Sequence, residues 1–117
     1  MFKLDASASP VSDTVVITDG LVGIRTNAQH SYLHVNGSFA TGYVAKNANY
    51  TATSADCTIE CTANSFTVTL PSAATIVGRI YNIANSGAGT ITIATTSSQT
   101  FINVATTPTT LTLATLG

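Results

Sequence analysis

The chain has 117 residues, which is enough for one domain, or for one small domain with an extension. Only 8% of its residues are charged, whereas soluble domains average about 25%. The net charge is −1 and the four basic residues never cluster, which excludes the basic surface of a nucleic-acid-binding protein.

Polar character comes instead from hydroxyl and amide side chains. Thr makes up roughly a fifth of the chain and favours strands. No stretch approaches the ~18 apolar residues of a membrane span, and the N-terminal MFKLDASASP lacks the apolar core of a secretory signal, so we expect no membrane insertion. A nearly uncharged surface suits contact with copies of the same chain, which indicates an oligomer.

The N-terminal part has the pattern of short hairpins. Residues 14–18 (TVVIT) and 21–24 (LVGI) flank Asp19-Gly20, a dipeptide typical of a tight turn. Residues 32–35 (YLHV) precede Asn36-Gly37, so we expect a second hairpin that returns along residues 38–43. A pair of such hairpins is marginally stable alone, so this part needs partner chains or the rest of the protein.

Residues 45–49 (AKNAN) are expected to join this part to a second one. Seven short segments with alternating apolar residues follow, separated by turn-forming residues such as TANS (62–65) and SGAG (86–89). The segments are 50–54, 57–61, 66–70, 79–85, 90–94, 99–103 and 110–114. The sequence therefore predicts an all-β protein: a hairpin segment over 1–48, then a small antiparallel β-sandwich or jelly-roll-like domain over 49–117.

The stretch 56–71 (DCTIECTANSFTVTLP) concentrates residues that can do chemistry. In a strand, Cys57 and Cys61 lie on one face about 13 Å apart, too far for a disulfide, which needs Cα atoms within ~7 Å. Asp56 and Glu60 are equally far apart, beyond the ~5–9.5 Å of glycosidase carboxylate pairs. We expect the cysteines to be core residues, with TANS turning the chain into a hairpin.

No pattern indicates catalysis or a cofactor. The chain has no G-x-S-x-G elbow, phosphate-binding loop or dinucleotide fingerprint, so we expect no catalytic, cofactor or metal site and no enzyme. His34 is a candidate contact at a trimer axis, where three copies could converge on a metal, although ordinary packing is the commoner role of such a residue. Tyr43 and Tyr50 are candidate receptor-facing aromatics, because they flank the joint.

Two stretches resemble tailed-bacteriophage fibre and tail proteins. Residues 50–103 are similar to a β-domain of that family in Asp56, in TVTLPSA (67–73), in GRIY (78–81) and in TITI (90–93). Residues 21–40 (LVGIRTNAQHSYLHVNGSFA) resemble a fibre-shaft element, with Arg25 where that element usually has Gly. Relatives often continue into another strand with a Trp, whereas this chain has no Trp and stops at LTLATLG, so a last strand could be lacking.

The resemblance implies a non-enzymatic virion protein. It would be a homotrimeric fibre, spike or decoration component of the head or tail, with short strands interwoven about the axis of the shaft. Its partners would be its own copies and other virion proteins (capsid, portal or tail), and it would be made in the host cytoplasm and contribute to attachment. The alternative is a module that binds a glycan or a protein on the host surface.

Overall fold

A computed structural model describes residues 15–102 and 107–115. The protein is all-β, and its only helical element in those ranges is a short 3-10 helix, Ala73–Thr75. The chain divides into two compact units, one ending at Ala40 and the other beginning at Thr41. The strand at 43–46 thus belongs to the second unit, although the sequence led us to expect a boundary at residue 48.

The first unit is a three-stranded sheet. Strands β1 (Val15–Thr18) and β2 (Leu21–Ile24) form an antiparallel hairpin whose turn residues, Asp19 and Gly20, have φ of 52° and 80°. These left-handed values explain the Asp-Gly dipeptide, and the predicted hairpin is confirmed. Strand β3 (Leu33–Val35) pairs with β2 in parallel.

The second predicted hairpin is wrong. Residues 38–42 form no strand, and the Asn36 side chain donates instead to the Arg25 carbonyl at 3.2 Å. A parallel partner for β3 was available in β2, and the intervening loop supplies the crossover that a parallel pair needs.

In the described part of the chain, the second unit has seven strands in two sheets. One sheet contains β4 (Tyr43–Lys46), β6 (Thr58–Cys61) and β8 (Asn82–Asn85), in the order β4-β6-β8. The other contains β5 (Tyr50–Thr51), β7 (Thr67–Thr69), β9 (Ile91–Ala94) and β10 (Thr110–Leu113), in the order β10-β9-β7-β5.

Consecutive strands from β4 to β9 alternate between the two sheets, so this part of the chain winds as a short solenoid of three coils. Each of β4 to β7 pairs in parallel with the strand one coil later, and only β10 pairs antiparallel, with β9. The two-sheet, sandwich-like character is confirmed. Among the described strands of the second unit, the expected antiparallel pairing is found only between β9 and β10. The other strands pair in parallel because TANS and SGAG carry the chain from one sheet to the other instead of reversing it within a sheet.

The core lies between these two sheets and is built in columns. Val44, Ile59 and Ile83 are in register across the first sheet, and Val68 and Ile93 are in register across the second. Ile59 and Val68 are both fully buried, whereas their neighbours on the same strands are polar and half-buried: Thr58, Glu60, Thr67 and Thr69. Period-two alternation places one side chain per two residues on the inner face, and parallel register stacks those side chains coil upon coil.

The corners of adjacent coils stack closely enough to require glycine. A Cβ on Gly87 would lie 2.3 Å from the Ala63 carbonyl oxygen, and a Cβ on Gly89 would lie 2.6 Å from the Ser65 nitrogen. The SGAG corner thus packs directly on the TANS corner, backbone against backbone. This contact is a packing reason for both glycines in a segment that the sequence suggested was a hairpin loop.

Candidate functional site

The most elaborate polar cluster surrounds Asp56, just before β6. Its side chain is 7% exposed, and its Oδ2 accepts hydrogen bonds from the Tyr50 hydroxyl (2.8 Å), the Thr53 backbone N–H (2.7 Å) and the Thr53 hydroxyl (2.9 Å). Burial alone would raise the pKa of Asp56, but these hydrogen bonds outweigh it and the pKa lies below its ordinary value. Asp56 therefore fastens the turn at 53–56 to β5.

The other acidic residue of this stretch has a separate partner. Tyr43 is 62% exposed on β4, and its hydroxyl donates to the Glu60 carboxylate on the neighbouring strand. That hydrogen bond raises the pKa of Tyr43 and lowers the pKa of Glu60. Asp56 and Glu60 thus accept hydrogen bonds from two different tyrosines.

The two candidate receptor-facing tyrosines differ in what they offer a ligand. Tyr43 presents an exposed ring beside a carboxylate, as described above. Tyr50 is half-buried, its hydroxyl is bound to Asp56, and the Lys46 ammonium lies 4.0 Å from the centre of its ring. Tyr50 thus has a defined structural role, since one face of its ring is covered by a cation.

An open hollow of about 500 Å³ lies beside the Asp56 cluster. It is lined by Asp56, Cys57 and residues 75–80. Its apolar rim is solvent-exposed: Val77 is 91% exposed and Ile80 is 71% exposed. The Arg79 guanidinium donates to the Ser54 carbonyl at 2.6 Å, so it is engaged with the turn at 53–56. The hollow thus combines an apolar rim with a carboxylate and a guanidinium that already have hydrogen-bond partners, and with the free thiol of Cys57.

Both cysteines are free thiols, as the strand geometry predicted. Cys61 is fully buried in the core, and burial, followed by the nearby Glu60 charge, raises the pKa of its thiol. Cys57 is half-buried at the hollow. A buried thiol with a raised pKa is a poor nucleophile, which agrees with the packing role expected for Cys61.

His30 and His34 lie together in the first unit, with ring centres 5.5 Å apart. His34 is half-buried on β3, and its Nδ1 lies 3.1 Å from the Ala28 carbonyl oxygen. The sequence singled out His34 but did not pair it with His30, because the i, i+4 spacing brings two residues together only when the chain between them curls. Within the part of the chain that the structure describes, no cluster of three or more His, Cys, Asp or Glu side chains is arranged for a metal ion.

The role of Asp56 was the main feature that sequence reasoning missed. A Thr three residues before an Asp (Thr53 and Asp56) can signal a turn closed by the carboxylate, because Asp and Thr side chains bond to nearby backbone groups. The partnership with Tyr50 has no local signal, since it depends on where β5 lies.

Among residues 15–102 and 107–115, no helix is long and apolar enough to cross a lipid bilayer. Comparisons with known proteins identify no relative: no protein-family model, no curated protein and no solved structure matches this chain.

Proposed function

We propose that this protein is a non-enzymatic structural component of a tailed-phage virion, a homotrimeric fibre or spike module that contacts other virion proteins and contributes to attachment. The proposal builds on the resemblance of residues 21–40 and 50–103 to phage fibre and tail proteins. It also builds on the low charge of the chain, which allows copies to approach without electrostatic repulsion.

The observation that carries the proposal is the apolar surface of the first unit. All the buried hydrophobic side chains of the described residues belong to the second unit. The first unit instead exposes large apolar side chains: Ile17 is 51% exposed, Leu33 54%, Phe39 70% and Tyr32 83%. A single chain gives this sheet too few apolar contacts to bury these side chains, and several large exposed apolar side chains on one small unit are typical of a protein interface. Neighbouring copies that share one core would bury it.

The test is the mass of the native full-length chain, measured by light scattering or native mass spectrometry. We expect three times the 12.0 kDa of one chain. Ile17→Lys or Leu33→Lys should lower the mass, because each places a charge on the shared apolar surface. Val77→Lys, at a still more exposed apolar position (91%) in the second unit, is the control and should leave the mass unchanged. A stable monomer at micromolar concentration would overturn the proposal.

A second candidate function, recognition of a glycan or protein on the host surface, is favoured by Tyr43. Its ring is exposed and lies beside the Glu60 carboxylate, so one site offers an apolar stacking face and a hydrogen-bond acceptor. A glycan array probed with the full chain tests this function. Tyr43→Ala should abolish any signal, Tyr32→Ala should not, and a blank array for the unmodified chain would exclude glycan recognition.

A further inference from the structure

We propose that His30 and His34 of one chain together bind a divalent transition-metal ion, of the kind that prefers imidazole nitrogen, such as Ni²⁺ or Zn²⁺. The site belongs to the first unit, whereas the Asp56 cluster and the hollow belong to the second. Three observations carry the proposal: the hydrogen bond of His34, the separation of the two rings, and the way the intervening loop is fixed.

The hydrogen bond of His34 sets which of its nitrogens is free. Nδ1 lies 3.1 Å from the Ala28 carbonyl oxygen, and a carbonyl can only accept a hydrogen bond. Nδ1 therefore carries the hydrogen, and in the neutral ring Nε2 carries the lone pair. Metal-binding histidines usually have this arrangement, in which the second nitrogen donates to a carbonyl or carboxylate and so fixes the ring.

The separation of the rings matches two imidazoles on one ion. A zinc–nitrogen bond is about 2.0–2.1 Å long and the ring centre lies about 1.15 Å beyond the nitrogen, so each ring centre is about 3.2 Å from the metal. At an angle of about 109–120° between the two bonds, the ring centres are then about 5.2–5.5 Å apart. The observed separation is 5.5 Å, with the ring planes tilted by 45°. Offset stacking of the rings needs no such tilt.

The loop that carries His30 is fixed without a metal. Gly23 of β2 lies opposite His34 in the sheet, and a Cβ at Gly23 would come within 2.4 Å of the Thr26 carbonyl oxygen and 2.5 Å of the Gln29 amide nitrogen. The loop therefore folds tightly over β2. Near its other end, the Val22 N–H donates to the Tyr32 carbonyl at 2.8 Å. Pre-ordering of this kind lowers the entropic cost of binding.

The chemistry of the pair selects the class of ion. Two neutral imidazoles suit Zn²⁺, Cu²⁺ and Ni²⁺, whereas Mg²⁺ and Ca²⁺ require oxygen ligands. Water completes the coordination of a two-histidine site. Within the described parts of the chain no hydrogen bond occupies the Nε2 atom of His34, which is half-buried, and His30 is exposed to solvent.

The experiment is calorimetric titration of the full chain, without an affinity tag, with NiCl₂ and separately with ZnCl₂. We expect one ion per chain, and no heat of binding with MgCl₂. His30→Gln and His34→Gln should each weaken binding at least tenfold, because loss of even an outer partner of a metal ligand costs about 10–100-fold. Cys57→Ser is the matched control for thiol binding and should bind as the unmodified chain does.

Three results would overturn the proposal: no binding by the unmodified chain, binding that the histidine variants retain, or one ion per three chains. The last would indicate an ion shared at a symmetry axis rather than a pair within one chain. Circular dichroism of the variants verifies their fold, and His30 is an exposed loop residue whose replacement by Gln removes no buried group. The stoichiometry per chain is measured independently of the oligomeric mass, so this proposal and the trimeric function can fail separately.

Discussion

Replacement of Ile59 by Ala should destabilise the second unit more than truncation of any other side chain on strand β6. Ile59 is fully buried in the central strand of its sheet. Val44 and Ile83 flank it in register on the two neighbouring strands, and it belongs to the same core cluster as Val68 of the opposite sheet. Every side of the side chain is therefore enclosed.

The expected magnitude follows from that enclosure. Ile→Ala removes three carbon atoms, which costs about 2.4 kcal/mol of lost transfer free energy at ~0.8 kcal/mol each. The vacated space is about 80 Å³, and at ~24 cal/mol per Å³ it adds about 1.9 kcal/mol if the neighbours do not move. The total of about 4 kcal/mol lies within the ~2–5 kcal/mol usual for such substitutions, and partial collapse of the cavity brings the expectation to about 3–4 kcal/mol.

Urea unfolding at a fixed protein concentration measures this difference, because the apparent stability of an oligomer depends on concentration. Ile102→Ala is the matched control: the same atoms are removed from a side chain that is 98% exposed, and the change should stay within about 0.5 kcal/mol. The reasoning would be refuted if the two variants lost similar stability, or if Ile59→Ala lost less than about 1 kcal/mol.

Three further predictions concern the glycine corner at residues 86–89, the loss of stability at acid pH, and the two thiols. Gly87→Ala should lower the urea midpoint, because its Cβ would lie 2.3 Å from the Ala63 carbonyl oxygen; an unchanged midpoint would contradict the stacked corners. The lowered pKa of Asp56 means that its carboxylate stabilises the fold above about pH 4 and that this contribution is lost as pH falls through the folded-state pKa. Asp56→Asn should therefore be less stable at pH 7, and its free energy of unfolding should fall less steeply as the pH is lowered. An unchanged pH dependence would show that other groups cause the acid sensitivity. Alkylation of the native protein should modify half-buried Cys57 before fully buried Cys61, and equal rates would show that the core opens readily.

The strands of the second unit were predictable because alternation is a local signal. Segments 57–61, 66–70 and 90–94 contain the observed strands β6, β7 and β9, with Ile59, Cys61 and Val68 facing inward as expected. Strand β4 was missed, since Ala45 and Lys46 have low strand propensity and the strand exists because it pairs with β6.

The partners of the strands were not predictable from local signals. TANS and SGAG have the composition of hairpin turns, and nothing within four residues distinguishes a chain reversal from a corner that passes to the opposite sheet. The distinguishing information lies in the stacking of Gly87 on Ala63, more than twenty residues apart. The candidate site shows the same limit: the side chains of Asp56 and Tyr50 meet because β5 precedes the turn in the same coil, and the two histidines meet because a loop closes on Gly23.

The coils of the solenoid are unequal, and the difference has a practical consequence. Register pairs Tyr43 with Thr58 and Thr58 with Asn82, so the second coil is the longer one, and residues 71–80 form most of its additional corner. Within that corner Val77 is 91% exposed and a Cβ on Gly78 would have no atom within 4 Å. A foreign peptide inserted between these two residues would lengthen a corner whose length the sheets already tolerate, which makes this position suitable for peptide display.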